Sequence, residues 1–142
     1  MTIDPETLGI LINTVRRFVD NELIPREAEL AENYAVPVDV LEQMKNLGLF
    51  GLSKSEDYGG MGLSMEEEVR VVFELGRTSP AFRSLIGTNI GIGSQAIVIA
   101  GSDEQRKKYL PRLASGDLIG SFALTEPESG SDAMSLQTSA IK

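Results

Sequence analysis

Apolar residues recur at helical intervals through most of the chain, and this pattern predicts a series of amphipathic helices. Asp4 and Pro5 are typical of the N-cap and first position of a helix, so the first helix is predicted to begin there. Pro25 should break or kink that helix, and residues 28–32 should continue it. The apolar face of this first helix is formed by Leu8, Leu11, Ile12, Val15, Phe18 and Val19.

Capping residues mark the ends of the helices that follow. A second helix after Pro37 is predicted to end at Gly48, because glycine readily adopts the left-handed conformation that closes a helix. Ser79 and Pro80 open a further helix, which is predicted to run towards Ala100. Two other helices begin with capping boxes, formed by Ser64 with Glu67 and by Ser102 with Gln105.

The pattern changes after Gly116. Between residues 118 and 125 the side chains alternate with a period of two, which predicts a β-strand. A single strand cannot satisfy its own backbone hydrogen bonds, so its partners must come from beyond Lys142 or from another chain. The sequence therefore predicts a mainly α protein, with a helical domain over residues 1–116 and the start of a β-domain over residues 117–142.

Composition excludes several kinds of site. The 142 residues include no cysteine and no histidine, so the chain alone can form neither disulfides, sulfur-ligated metal sites nor a Ser-His-Asp triad. The formal net charge of −8 disfavours a nucleic acid partner. The first residues do not have the pattern of a secretory signal, and no apolar run is long enough to cross a bilayer. A cytoplasmic protein without a metal site is the resulting expectation.

The predicted strand leads into a turn rich in hydroxyl and glycine residues, Thr125-Glu126-Pro127-Glu128-Ser129-Gly130-Ser131-Asp132. Gly130 lacks a side chain, so another molecule or backbone can come close. Successive N–H groups in such a turn can form a donor site for an anion or for a polar ring edge, with the carboxylates capping local N–H groups instead. An ordinary turn between strands has the same composition, so composition alone leaves both interpretations open.

The segment from Ala123 to Ser135 resembles a signature of the acyl-CoA dehydrogenase family. Other segments similar to that family occur in the expected order, and together they extend the resemblance over nearly the whole chain. These segments are Glu56–Gly62, Ala100–Gln105 and Lys108–Pro111.

The resemblance implies an N-terminal helical domain, a middle β-domain and a C-terminal helical bundle, with FAD between the last two. It implies oxidation of acyl-CoA thioesters to their α,β-enoyl form in fatty acid metabolism. An electron acceptor such as an electron-transfer flavoprotein and a homo-oligomeric full-length protein are also implied. The catalytic glutamate belongs to the C-terminal bundle, so no catalytic residue is assigned here and the chain alone should not turn over substrate. Glu126 and Glu128 are not taken as the base.

Site residues follow from the same resemblance. Leu124 and Thr125 would contact the isoalloxazine ring of FAD, with Phe122 lining the flavin beside them. Gly130 and Ser131 would lie near the pyrophosphate, and Ser131 would also approach the CoA moiety. Many relatives carry glycine at the position of Glu128.

The predicted helix after Ser79 carries a stripe of small residues on one face, formed by Ser84, Gly87, Gly91 and Ser94. Each internal glycine costs ~1 kcal/mol relative to alanine, so the space should have a use. Gly87 and Gly91 could line the tunnel of the acyl tail, or the stripe could serve close helix packing; both explanations stay open.

Two alternatives to a dehydrogenase also remain. A related flavoprotein of the same fold, such as an acyl-CoA oxidase, a nitroalkane oxidase or a flavin-dependent monooxygenase, could share this half. A non-catalytic helical module could bind a partner through the edge of its terminal strand.

Overall fold

The computed structural model describes residues 3–141, which contain seven α-helices. The prediction of a mainly helical protein is confirmed. The helices are α1 (Pro5–Phe18), α2 (Glu27–Asn33), α3 (Val38–Asn46), α4 (Met65–Leu75), α5 (Pro80–Ile90), α6 (Ile92–Ala100) and α7 (Asp103–Ser115). None of the helices within residues 3–141 has the length and apolar character that spanning a membrane requires.

The predicted helix ends agree with the structure. The Asp4 carboxylate accepts a hydrogen bond of 2.9 Å from the backbone N–H of Thr7, which caps α1. Gly48 follows α3 with a φ of 68°, the left-handed conformation that was predicted from glycine. Both predicted capping boxes are present, at the starts of α4 and α7.

Pro25 interrupts the first helix as predicted, and it does so through two short irregular helices. A π-helical turn, Val19–Leu23, follows α1, and a 3-10 turn, Ile24–Arg26, contains the proline. Proline has no N–H to donate to the preceding turn, so the α-helical hydrogen bonding cannot continue through this position. The chain resumes as α2 over Glu27–Asn33.

The helix predicted from Pro80 to Ala100 is wrong as a single element. The structure divides it at Gly91 into α5 and α6, because Gly91 has a ψ of −114° that no α-helix contains. The stripe of small residues is therefore not one face of one helix. Ser94 is fully buried at the start of α6, where its hydroxyl donates to the carbonyls of Asn89 and Ile90 at 2.7 and 3.0 Å.

The core lies between α1, α3, α4 and α5, and α1 packs along α4. A 3-10 turn, Leu49–Gly51, contacts α3, α5 and α7. Full burial of each large apolar side chain contributes roughly 1.5–3 kcal/mol. The largest fully buried side chains include Phe50, Phe82, Leu23, Met44, Leu49, Leu52, Leu75, Ile86 and Ile90.

The predicted strand over residues 118–125 makes no ladder with any residue in the range 3–141. Residues 119–125 have no regular secondary structure, and Phe122 and Leu124 are 52% and 41% exposed. Since the partner strands were predicted to come from beyond Lys142 or from another chain, the strand stays a prediction. The division of the chain at residues 116 and 117 likewise remains a prediction.

Candidate functional site

The turn after residue 125 is closed by a pair of backbone hydrogen bonds. Glu126 N donates to Ser129 O at 2.9 Å, and Ser129 N donates to Glu126 O at 3.1 Å, with Pro127 and Glu128 at the tip. The side chain of Glu128 is exposed at this tip. A side chain at this position therefore has room in solvent.

Hydroxyl and carboxylate groups hold the second half of the turn. Ser129 is only 3% exposed, and its Oγ donates to the carbonyl oxygen of Asp132 at 2.6 Å. The Asp132 carboxylate accepts from Met134 N at 3.3 Å and from Ser135 Oγ at 2.5 Å. This carboxylate therefore caps local groups, as predicted.

Glu126 fixes the chain that leaves the turn. Its two carboxylate oxygens accept from Gln137 N and Thr138 N, each at 2.8 Å. These N–H donors stabilise the ionised form and hold the pKa of the Glu126 carboxyl below its ordinary value, and the N–H of Gln137 has the largest effect. A carboxylate with a lowered pKa is a weak proton acceptor, which supports the choice not to assign Glu126 as a catalytic base.

The five residues predicted to line a flavin are all exposed, and they belong to two adjoining stretches. Phe122, Leu124 and Thr125 come before the turn, whereas Gly130 and Ser131 lie on its far side. A Cβ placed on Gly130 would approach only the Cγ2 atom of Thr125, at 4.0 Å. The backbone at Gly130 is therefore unhindered, and the apolar and hydroxyl side chains predicted to line the flavin are exposed.

The two glycines predicted to line an acyl tail lie elsewhere. A Cβ on Gly87 would first meet the guanidinium group of Arg83, at 3.6–3.8 Å, and one on Gly91 would lie 2.8 Å from the carbonyl oxygen of Gly87. The structure therefore does not bring these glycines onto the turn. Gly91 has a local reason to be glycine, because any side chain would collide with the end of α5.

Close backbone packing occurs instead at Gly93. A Cβ on Gly93 would lie 3.1–3.2 Å from the backbone of Gly120, and one on Gly120 would lie 3.2–3.3 Å from that of Gly93. The start of α6 and the segment before the turn thus approach each other at two residues without side chains. Gly93 is not part of the predicted stripe, so the roles of Gly87 and Gly91 stay predictions.

Two buried polar residues near this contact were missed by the sequence analysis. Asn89 is fully buried on α5; Lys54 is 2% exposed, and its Nζ donates to Ile90 O at 2.7 Å. Asn89 occupies an apolar position of the helical repeat that also contains Phe82 and Ile86, and that placement is a signal which could have identified it. Lys54 lies in a loop without periodicity, so the sequence offered no comparable signal.

Comparisons with known proteins match the part of the chain that forms the helices. A family model described as "Acyl-CoA dehydrogenase, N-terminal domain" matches residues 5–117. An acyl-CoA dehydrogenase of Bacillus subtilis (strain 168) is 39% identical over 128 residues, which cover 90% of this chain and 34% of that protein. The mitochondrial very long-chain specific acyl-CoA dehydrogenase of Macaca fascicularis is 38% identical over 136 residues, which cover 96% of this chain and 20% of that protein.

A solved structure gives the same result. The crystal structure of an acyl-CoA dehydrogenase from Bacillus anthracis complexed with FAD superposes with a TM-score of 0.82 at 36% identity. The superposition covers 95% of this chain and 24% of that one. The present chain thus spans between 20% and 34% of the length of these three proteins.

Proposed function

This chain belongs to the acyl-CoA dehydrogenase family, and from that premise we propose that it forms the first part of an FAD-dependent enzyme that oxidises acyl-CoA thioesters to α,β-enoyl thioesters. Residues 1–116 would be the helical domain and residues 117–142 the start of the middle β-domain. The catalytic base would be supplied by a part of the protein outside these residues.

The observation that carries the proposal is the open turn at residues 125–131, which directly follows the helices that match the family. The exposed side chains of Phe122 and Leu124 would cover part of the flavin, while the Thr125 hydroxyl donates to the polar edge of the ring. Gly130 leaves its backbone accessible to the pyrophosphate, and Ser131 adds a hydroxyl there and towards CoA.

When bound, FAD supplies the acceptor for the hydride that leaves the β-carbon of the thioester. The chain's own residues would hold and orient that group, and they provide no base for the α-proton. Glu126 accepts hydrogen bonds from two N–H groups and its pKa is lowered, so its role would be structural: it would hold the chain that leaves the turn.

The acyl tail is the second part of the proposal. Gly87 and Gly91 would leave room for the tail of the substrate beside α5, with close packing as the competing explanation. Because Gly91 cannot accept a side chain without moving the end of α5, the test uses Gly87→Leu in the full-length protein. A tail-lining role predicts that this variant penalises long acyl chains far more than short ones, and an equal loss for all lengths would leave only packing.

In the full-length protein, acyl-CoA would be the substrate and a protein such as an electron-transfer flavoprotein the electron acceptor. A homo-oligomer would complete the enzyme.

The test begins with the full-length protein supplied with FAD. We expect a yellow protein whose flavin absorbance bleaches when acyl-CoA is added without oxygen, and does not bleach with the free fatty acid. A protein that stays colourless and retains no FAD contradicts the proposal. Bound FAD that acyl-CoA fails to bleach excludes the dehydrogenase, whereas rapid reoxidation by air after bleaching indicates an oxidase.

A matched pair of variants tests the turn itself. Gly130 has open surroundings, so Gly130→Val should leave the unfolding temperature unchanged and weaken FAD binding roughly tenfold, or ~1.4 kcal/mol. Gly9→Ala is the control, because nothing lies within 4 Å of a Cβ at Gly9 on α1. Equal FAD affinity in both variants would show that the turn does not contact the flavin.

A further inference from the structure

A primary amide is buried in the helical core at a position that apolar side chains otherwise occupy. Asn89 is fully buried on α5, on the same side of the helix as Phe82 and Ile86. Burying an amide is unfavourable unless both of its polar ends form hydrogen bonds. Both ends do so here, since Nδ2 donates to Leu113 O at 2.8 Å and Oδ1 accepts from Gly120 N at 2.7 Å.

The two partners of Asn89 belong to different parts of the chain. Leu113 lies in the last turn of α7, where carbonyl groups have no partner within the helix. Gly120 lies in the segment that runs from α7 to the turn at residues 125–131. One side chain of α5 thus fixes both the end of α7 and the start of that segment.

A second contact restrains Gly120, the partner of Asn89 in the segment before the turn. The backbone of Gly120 packs on that of Gly93, at the start of α6, so closely that a Cβ on either glycine would lie within 3.3 Å of the other backbone. Gly120 is therefore held both by a hydrogen bond from α5 and by direct backbone packing on α6. Neither restraint depends on a strand ladder.

Within residues 3–141, no other backbone hydrogen bond restrains the chain between Gly120 and the turn. After Leu118 N, which donates to Arg112 O at 2.9 Å, the next backbone hydrogen bonds of the described chain are Gly120 N to Asn89 and Glu126 N to Ser129. Thr125 lies five positions after Gly120 in the sequence, a reach of at most roughly 18 Å. The position of Gly120 therefore limits where Leu124 and Thr125 can lie.

We infer that Asn89 is a positioning residue that places the flavin-lining segment of residues 120–125 relative to α5, the helix that carries Gly87. This inference rests on the proposed function, since it concerns the same flavin site. Asn89 itself contacts neither flavin nor substrate in this scheme, and acts through Gly120.

The test compares three variants of the full-length protein by the affinity of the apoprotein for FAD and by the visible spectrum of bound flavin. Asn89→Leu removes both hydrogen bonds at similar volume, and Asn89→Ala removes them with a smaller side chain. Ser94→Ala is the control, because it removes a buried hydroxyl from the same α5–α6 junction without touching Gly120.

We expect Asn89→Leu to weaken FAD binding by at least roughly tenfold, ~1.4 kcal/mol, and to shift the flavin absorption maximum. Ser94→Ala should stay within about threefold of wild type, ~0.6 kcal/mol. If Asn89→Leu does not fold, Asn89→Ala replaces it with the same expectation.

Three outcomes would overturn the inference. An Asn89→Leu protein with wild-type FAD affinity and spectrum shows that the anchor does not place the segment. An equal loss in Ser94→Ala shows a general effect of core damage. A wild-type protein that binds no FAD overturns the proposed function and this inference with it, whereas the first two outcomes leave the proposed function standing.

Discussion

Replacing Lys54 by methionine removes a charge that the fold holds out of water. The Lys54 ammonium is buried and donates to Ile90 O, at the C-terminal end of α5 where backbone carbonyls carry partial negative charge. Burial lowers the pKa of this amine from 10.5 to about 8, and the negative charge of Glu68 opposes that effect without cancelling it.

The sign of the pH effect follows from this lowered pKa. Between pH 8 and 10.5 the unfolded chain binds a proton at Lys54 that the folded chain has released, so the free energy of unfolding rises with pH. The cost of burying the charge is fully present below pH 8 and disappears as the pH approaches 10.5. Its size is about 3 kcal/mol.

Urea denaturation followed by circular dichroism, at several values from pH 7 to pH 10, measures this effect. Wild type should gain about 2 kcal/mol relative to Lys54→Met over that range, because most of the titration lies within it. Lys107→Met on the exposed side of α7 is the control, and its difference from wild type should stay within about 0.5 kcal/mol. A Lys54→Met difference as flat as that of the control would refute the reasoning.

Three further predictions concern backbone conformation and the turn. Gly48→Ala places a Cβ at a φ of 68° and should lower the free energy of unfolding by roughly 1–2 kcal/mol in urea denaturation. Gly9→Ala, in the middle of α1 with free space around it, should instead raise that free energy by up to ~1 kcal/mol, and a change of the same sign in both variants would contradict the argument. The Glu126 carboxylate, whose pKa is lowered, should protect the amides of Gln137 and Thr138 from hydrogen exchange above pH 4.5 and lose that effect as the pH falls below its lowered pKa; protection that persists in Glu126→Ala, which has no acceptor, would argue against this role.

Helix ends were predictable because capping is a short-range interaction. The Ser64–Glu67 and Ser102–Gln105 boxes involve residues three apart, so the sequence contains both partners of each bond. The interruption at Pro25 is equally local, since a missing N–H is a property of the residue itself. What the sequence did not show is the form of the interruption, a π-helical turn followed by a 3-10 turn.

The break at Gly91 was missed because helical spacing continues on both sides of it. Donors that end α5 come from elsewhere in the chain: Lys54 Nζ and Ser94 Oγ both reach Ile90 O. Because Ile90 O has a hydrogen-bond donor from outside the helix, α5 can end there without an unsatisfied carbonyl. The local sequence around Gly91 does not predict this donor, because Lys54 lies 36 residues away.

At the candidate site the sequence determined the local chemistry of the turn, because Ser129 and Asp132 form their hydrogen bonds with groups two or three residues away. It also determined the helices, whose spacing and caps are local properties. Only the tertiary structure decided where that turn is held. The hydrogen bond between Asn89 and Gly120 spans 31 residues of sequence. A buried amide stabilises a protein only when the fold brings its hydrogen-bond partners to it.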